Sequence, residues 1–118
     1  MICVDHFKDK DVIVQSTGEK TAKYPIIILV NKYTASCSEI LTLALKEGCN
    51  AIVIGTTTYG KGVGQTLKKT ENYYYKVTSL NWTSPSGISV DKVGIKPDID
   101  LSNYSEEDEL DIALKMLS

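Results

Sequence analysis

Ser36 and Lys61 are the two side chains whose types and surroundings suit proton sharing. Ser36 lies in a small-residue cluster, Thr34-Ala35-Ser36-Cys37-Ser38, just before an apolar run. Lys61 sits between Gly60 and Gly62. A serine hydroxyl is a poor nucleophile until a base removes its proton. A lysine can be that base only when neutral, a form that burial favours. A serine at a helix start also has unpaired backbone N–H groups beside it, able to stabilise an oxyanion. The single histidine, His6, is a weaker base, because the sequence implies no oriented aspartate for it. Taken alone, the plainer reading has the greater weight: Ser36 as an N-cap and Lys61 as a solvated turn lysine.

The elements that must position the pair are legible around it. Ile26–Val30 is an apolar run dominated by β-branched residues, introduced by Pro25, and reads as a strand buried on both faces. A helix is expected over 36–47. It opens on the Ser36-x-x-Glu39 spacing of a capping box and carries Ile40, Leu43 and Ala44 in a wide stripe with Leu41 and Leu45. Gly48 is its expected left-handed stop. Ala51–Ile54 is a second buried strand, so the order strand, helix, strand predicts a parallel βαβ unit. That crossover is long enough to return the chain, and Lys61 with it, toward Ser36.

Elsewhere the pattern is simpler. Val12–Ser16 reads as a short strand, followed by a polar turn over Thr17–Lys20. Gln65 to Trp82 reads as a hairpin turning at Glu71-Asn72, and Ser84-Pro85-Ser86-Gly87 as a turn. Gly94–Asp98 is a further turn. Ser105 opens a last helix with Glu106, Glu107 and Asp108 in its first turn and a stripe of Leu110, Ala113, Leu114 and Leu117. Met1–Phe7 reads as the ragged end of an element.

The chain has 118 residues, which fits one domain. It is 42% hydrophobic and 24% charged, the composition of a globular domain. A net charge of −2 with no basic stripe argues against nucleic acid as a partner. The longest apolar run is too short to span a bilayer, and the start lacks a signal-peptide pattern. Cys3, Cys37 and Cys49 have no metal-ligand spacing, so no metal or other cofactor is expected; Cys3 and Cys49 read as small buried thiols.

Four blocks together resemble the carboxy-terminal processing peptidases, or tail-specific proteases. Asn31–Glu39, NKYTASCSE, is similar to the nucleophile segment of that family. Thr58-Tyr59-Gly60-Lys61-Gly62 with Gln65 is similar to its lysine segment. Ser84-Pro85-Ser86-Gly87 and Gly94-Ile95-Lys96-Pro97-Asp98-Ile99 resemble its T-P-S-G turn and G-I-x-P-D closing motif. The blocks keep the family's order and cover nearly the whole chain from Val12 onward. The resemblance implies an α/β, crotonase- or Clp-protease-like sheet with covering helices. It also implies a serine endopeptidase with Ser36 as nucleophile, Lys61 as general base, Gln65 orienting the lysine, and the Cys37 backbone N–H as an oxyanion donor. Ser38 is a competing serine inside the first helical turn. Glu47 falls where some members carry an acid, and reads more simply as a solvated helix end. Cys37 replaces the usual alanine, and Ile88 the usual basic residue after the turn.

The resemblance further implies protein or peptide C-terminal tails as substrate and an extracytoplasmic setting. The family's upstream oxyanion loop and PDZ region have no counterpart before Phe7. The chain is therefore expected to be a partial peptidase core over 1–118 with little or no activity alone. The alternative is a non-catalytic strand-pairing module, which self-associates through an exposed strand edge. An acyl-CoA enzyme of the crotonase architecture is disfavoured, because no loop for CoA phosphates is visible.

Overall fold

The apolar run ending at Val30 and the one ending at Gly55 pair side by side, and most of the remaining chain is arranged around that pairing. A computed structural model describes residues 1–18 and 23–118. The strands are β1 (Cys3–Phe7), β2 (Asp11–Val14), β3 (Ile27–Val30), β4 (Ile52–Gly55), β5 (Val63–Lys69), β6 (Tyr74–Thr83) and β7 (Ile99–Asp100). The helices are α1 (Cys37–Cys49), between β3 and β4, and α2 (Glu106–Leu117), after β7. Part of the polar turn expected over Thr17–Lys20 lies outside the described residues.

Two sheets form. The first is parallel, in the order β3-β4-β7, with Ile27 opposite Ile52 and Ile54 opposite Ile99. The second is antiparallel, in the order β2-β1-β6-β5, with a register shift at Gly64/Gln65. The β3-α1-β4 unit and the β5-β6 hairpin are as the sequence predicts. Ile54, Leu101 and Ala113 are buried together, with Ile27 and Ile112 against them, and this cluster seats α2 on the parallel sheet. Leu43, Trp82, Val90 and Ile95 form a second cluster, which seats α1 on β6 and on the loop before β7.

Five sequence expectations are corrected here. Met1–Phe7 is no ragged end, since β1 is an interior strand paired with both β2 and β6. The parallel strands are not buried throughout: Leu29 and Ile52 are about 40% exposed. Helix α1 runs past Gly48 to Cys49, and Asn50 takes the left-handed cap at φ 53°. Asparagine tolerates that region, so the glycine was not needed there. Leu41, expected beside the α1 stripe, faces solvent. Helix α2 packs through Ile112 and Ala113, while Leu110, Leu114 and Leu117 remain exposed, so its buried face is rotated from the predicted stripe.

Candidate active site

Ser36 stands at the N-cap of α1 with φ 56° and ψ −118°, a conformation that side-chain-bearing residues rarely adopt. Its hydroxyl lies over the first turn, as the box spacing predicts, but makes no well-formed cap bond. The Glu39 N–H instead donates to the Ser36 carbonyl at 2.8 Å. Among the described residues the Ser36 hydroxyl makes no other hydrogen bond. The Cys37 N–H has no backbone acceptor among the described residues, and its thiol is exposed.

Glu39 is the residue whose role the sequence reading missed. Its side chain is fully buried, and four donors converge on it. The Thr58 hydroxyl donates to Oε1 at 2.5 Å and the Gly60 N–H at 2.7 Å. The Ser36 N–H donates to Oε2 at 2.8 Å and the Lys61 N–H at 2.9 Å. Two donors on each oxygen fill the acceptor capacity of a carboxylate, which removes the usual objection to burying one. One oxygen atom therefore holds the backbones of Ser36 and Lys61 within hydrogen-bond reach of itself. Three of the four donors come from a turn that follows β4, so no local pattern could have disclosed the clasp.

The lysine turn is held on its other sides as well. The Lys61 carbonyl accepts from the Trp82 indole N–H at 3.1 Å, and the Gly60 carbonyl from the Lys92 N–H at 2.8 Å. Thr58 accepts from the Ile95 N–H at 2.7 Å while donating to Glu39. Gly60, at φ 88°, packs so closely that a Cβ would lie 2.8 Å from the Gly94 nitrogen. At Gly94, φ 71°, a Cβ would lie 2.3 Å from the Thr58 carbonyl oxygen. Gly60 and Gly94 are thus both required for close backbone contact.

Lys61 and Ala35 line one side of a cleft of about 620 Å³, with Tyr33, Tyr59, Asp91 and Lys92 around it. Lys61 is half-buried. No hydrogen bond joins its amine to the Ser36 hydroxyl among the described residues, although their backbones meet at Glu39. Gln65 lies on β5 just past the register shift with an exposed side chain, and no hydrogen bond links it to Lys61 among the described residues. Ser38 is exposed in the first turn of α1.

His6 does have an oriented aspartate, contrary to expectation: Nδ1 is 2.8 Å from Asp11 Oδ1, and Nε2 is 2.9 Å from Thr83 Oγ1. Alternation along β1 turns His6 away from the face that Asp5 shares with its partner Trp82, so it does not face α1. Glu47 is no solvated helix end either. It accepts from the Ser86 N–H at 2.9 Å and the Ser86 hydroxyl at 2.8 Å, clasping the Ser84–Gly87 turn to α1. Burial opposes its ionisation, but hydrogen bonds from Ser84 and Ser86 outweigh that and hold the carboxyl below its ordinary value. Asp98 behaves likewise. Burial works against its charge, yet the Lys46 ammonium at 2.6 Å and the Val53 N–H at 2.9 Å lower its pKa. That pair ties the closing motif to α1 and β4. Of the three cysteines, Cys3 is buried and Cys49 partly so, near expectation.

The model of Peptidase family S41 matches residues 3–101 of the chain. The carboxy-terminal processing protease CtpA of Bacillus subtilis is 34% identical over 111 residues, which are 92% of this chain and 24% of that protein. A carboxy-terminal-processing protease of Bartonella bacilliformis is 42% identical over 83 residues, 70% of this chain and 19% of that protein. Among solved structures, the photosystem II D1 C-terminal processing protease superposes with a TM-score of 0.80 at 27% identity. The superposition covers 98% of this chain and 31% of that one. The chain spans about a quarter or less of the curated relatives it matches here.

Proposed function

Because the chain belongs to peptidase family S41, we propose that it carries the Ser36–Lys61 dyad of a serine endopeptidase that cuts proteins near their C-termini. The fold, a Clp-protease-like α/β architecture, is that of its S41 structural neighbours. The observation that carries the reading is the single Glu39 oxygen accepting from the N–H groups of both Ser36 and Lys61. A buried carboxyl that locks two backbones together fixes the relative origin of their side chains, which is the geometric part of catalysis.

The chemistry then runs as follows. A substrate segment lies extended beside the cleft, paired through its main chain. Ser36 Oγ attacks the scissile carbonyl as Lys61 Nζ, in its neutral form, takes the hydroxyl proton. The Cys37 N–H donates to the oxyanion. Lys61 returns the proton to the leaving amine, and water, activated by Lys61, releases the acyl group. Lysine's long flexible stem lets the amine reach the Ser36 hydroxyl once substrate fills the cleft. Gln65 orients the amine in that closed state. The Cys37 N–H is one oxyanion donor, and removal of such a donor costs about 100- to 1,000-fold.

The test is substitution in the intact enzyme. Ser36→Ala and Lys61→Ala each lower kcat/KM by about 10⁴-fold or more, read with a fluorogenic tail peptide. Cleavage persisting in either variant removes the dyad.

A second reading, a strand-pairing module, is favoured by the outer edge of β3, unpaired among the described residues, and by the exposed Leu29 on that strand. Covalent labelling of Ser36 by a fluorophosphonate supports the enzyme. A stable dimer on a sizing column without labelling supports the module.

A further inference from the structure

Lys92 occupies the left-handed region, φ 61°, where a Cβ is crowded and glycine is the residue normally found. It lines the same cleft as Lys61, and its N–H is held by the Gly60 carbonyl. Its side chain is exposed and enters no ion pair among the described residues. Lys32 is outside this lining, in a neighbouring cavity that shares Tyr33 and Tyr59, with its ammonium 5.1 Å from the Tyr33 ring centroid. Asp91, the one carboxyl lining this cleft, accepts from the Gly62 N–H at 3.2 Å. Two lysines, Lys61 and Lys92, thus line this cleft against one carboxyl, on a chain whose net charge is −2. Tyr33 and Tyr59, both largely exposed, supply apolar walls.

We propose that Lys92 is a substrate-recognition residue, whose ammonium pairs with a carboxylate of the peptide lying in the cleft beside Lys61. This rests on the peptidase reading and adds a chemical class to its substrate: segments bearing an anionic group. Two sources offer that group, an acidic side chain and a free C-terminal carboxylate. The aromatic walls hold the neighbouring apolar part of the peptide, and the cationic rim fixes its register. Position, not acidity, is what Lys92 contributes, so its loss weakens binding of carboxylate peptides and leaves neutral ones alone.

The test uses the whole chain carrying Ser36→Ala, so that binding is read without cleavage. Three fluorescein-labelled peptides of one sequence are compared by anisotropy: one with Glu and an amidated C-terminus, one with Gln and an amidated C-terminus, and one with Gln and a free C-terminus. At least one carboxylate peptide binds about 3- to 5-fold tighter than the neutral one, the scale of a partly screened ion pair. The preferred peptide identifies the source, and the preference falls as salt rises. Adding Lys92→Gln abolishes it, Lys92→Arg retains it, and Lys32→Gln leaves it in place. No binding of any peptide, equal binding of all three, or a preference surviving Lys92→Gln overturns the proposal. So does a Lys92→Gln effect, in the intact enzyme with Ser36 in place, on kcat for neutral and acidic peptides alike, since that would mean action through Lys61. Cleavage persisting in the intact enzyme carrying Ser36→Ala, with the binding preference unchanged, defeats the nucleophile reading instead and leaves the Lys92 assignment standing.

Discussion

The lysine turn and helix α2 are held in opposite ways. Around Lys61, every side is occupied by a specific partner: Glu39 on the N–H groups, Trp82 on the carbonyl, and the 90–94 turn in backbone contact with Gly60. Helix α2 touches the sheet through a narrow face centred on Ala113, while Leu110, Leu114 and Leu117 remain about half exposed. The first region is determined by directional bonds that allow one arrangement. The second is determined by non-directional burial, which is satisfied only in part. A site built to hold a nucleophile near a base is expected to be of the first kind, because an error of about 1 Å is enough to slow the reaction.

The sharpest way to break that contrast is Gly94→Ala. Its Cβ would collide with the Thr58 carbonyl at 2.3 Å, and its φ of 71° disfavours any side chain. The expected loss is about 3 kcal/mol or more, read as a lowered urea midpoint. The control is Gly48→Ala in α1, where a Cβ meets nothing within 4 Å and stability rises by roughly 0.5–1 kcal/mol. Equal behaviour of the two glycines would mean that the turn is not close-packed.

Glu39→Gln comes next. An amide turns donor hydrogens toward donor N–H groups and leaves part of the cluster unsatisfied. A destabilisation of about 2–3 kcal/mol is expected, with cleavage falling more than stability alone accounts for. Unchanged activity in a folded Glu39→Gln enzyme would show that the clasp does not position the dyad.

The smallest effect belongs to α2. Leu114→Gln should shift stability by no more than about 0.5 kcal/mol, because that side chain is already 56% exposed. A loss well above 1 kcal/mol, measured at several protein concentrations, would mean that this face is covered in solution and that the contrast between the two regions is smaller than it looks.

Much of the architecture is legible because it depends on neighbours in sequence. The β3-α1-β4 unit follows from two apolar runs flanking a helical period, and the β5-β6 hairpin from strand-forming residues around Glu71-Asn72. Helix α2 starts at Ser105 as expected, with the Asp108 N–H donating to the serine hydroxyl at 3.2 Å. Strand β1 escaped notice because its polar His6 is satisfied by partners from other strands, Asp11 of β2 and Thr83 of β6. The α2 stripe was misplaced because four leucine or alanine positions at helical spacing do not say which of two adjacent faces meets the sheet.

By itself, then, the sequence determined the family blocks, the crossover, the small residues around Ser36 and the glycines around Lys61. These are properties of residue type and local spacing, and a chain carries them before it folds. Only the tertiary structure decided that Glu39 holds the lysine turn as well as its own helix cap, that His6 faces away from α1, and that Lys92 stands beside Lys61. Each of those depends on which distant donors arrive around a buried or half-buried group, and hydrogen-bond satisfaction is settled only when the whole backbone is in place.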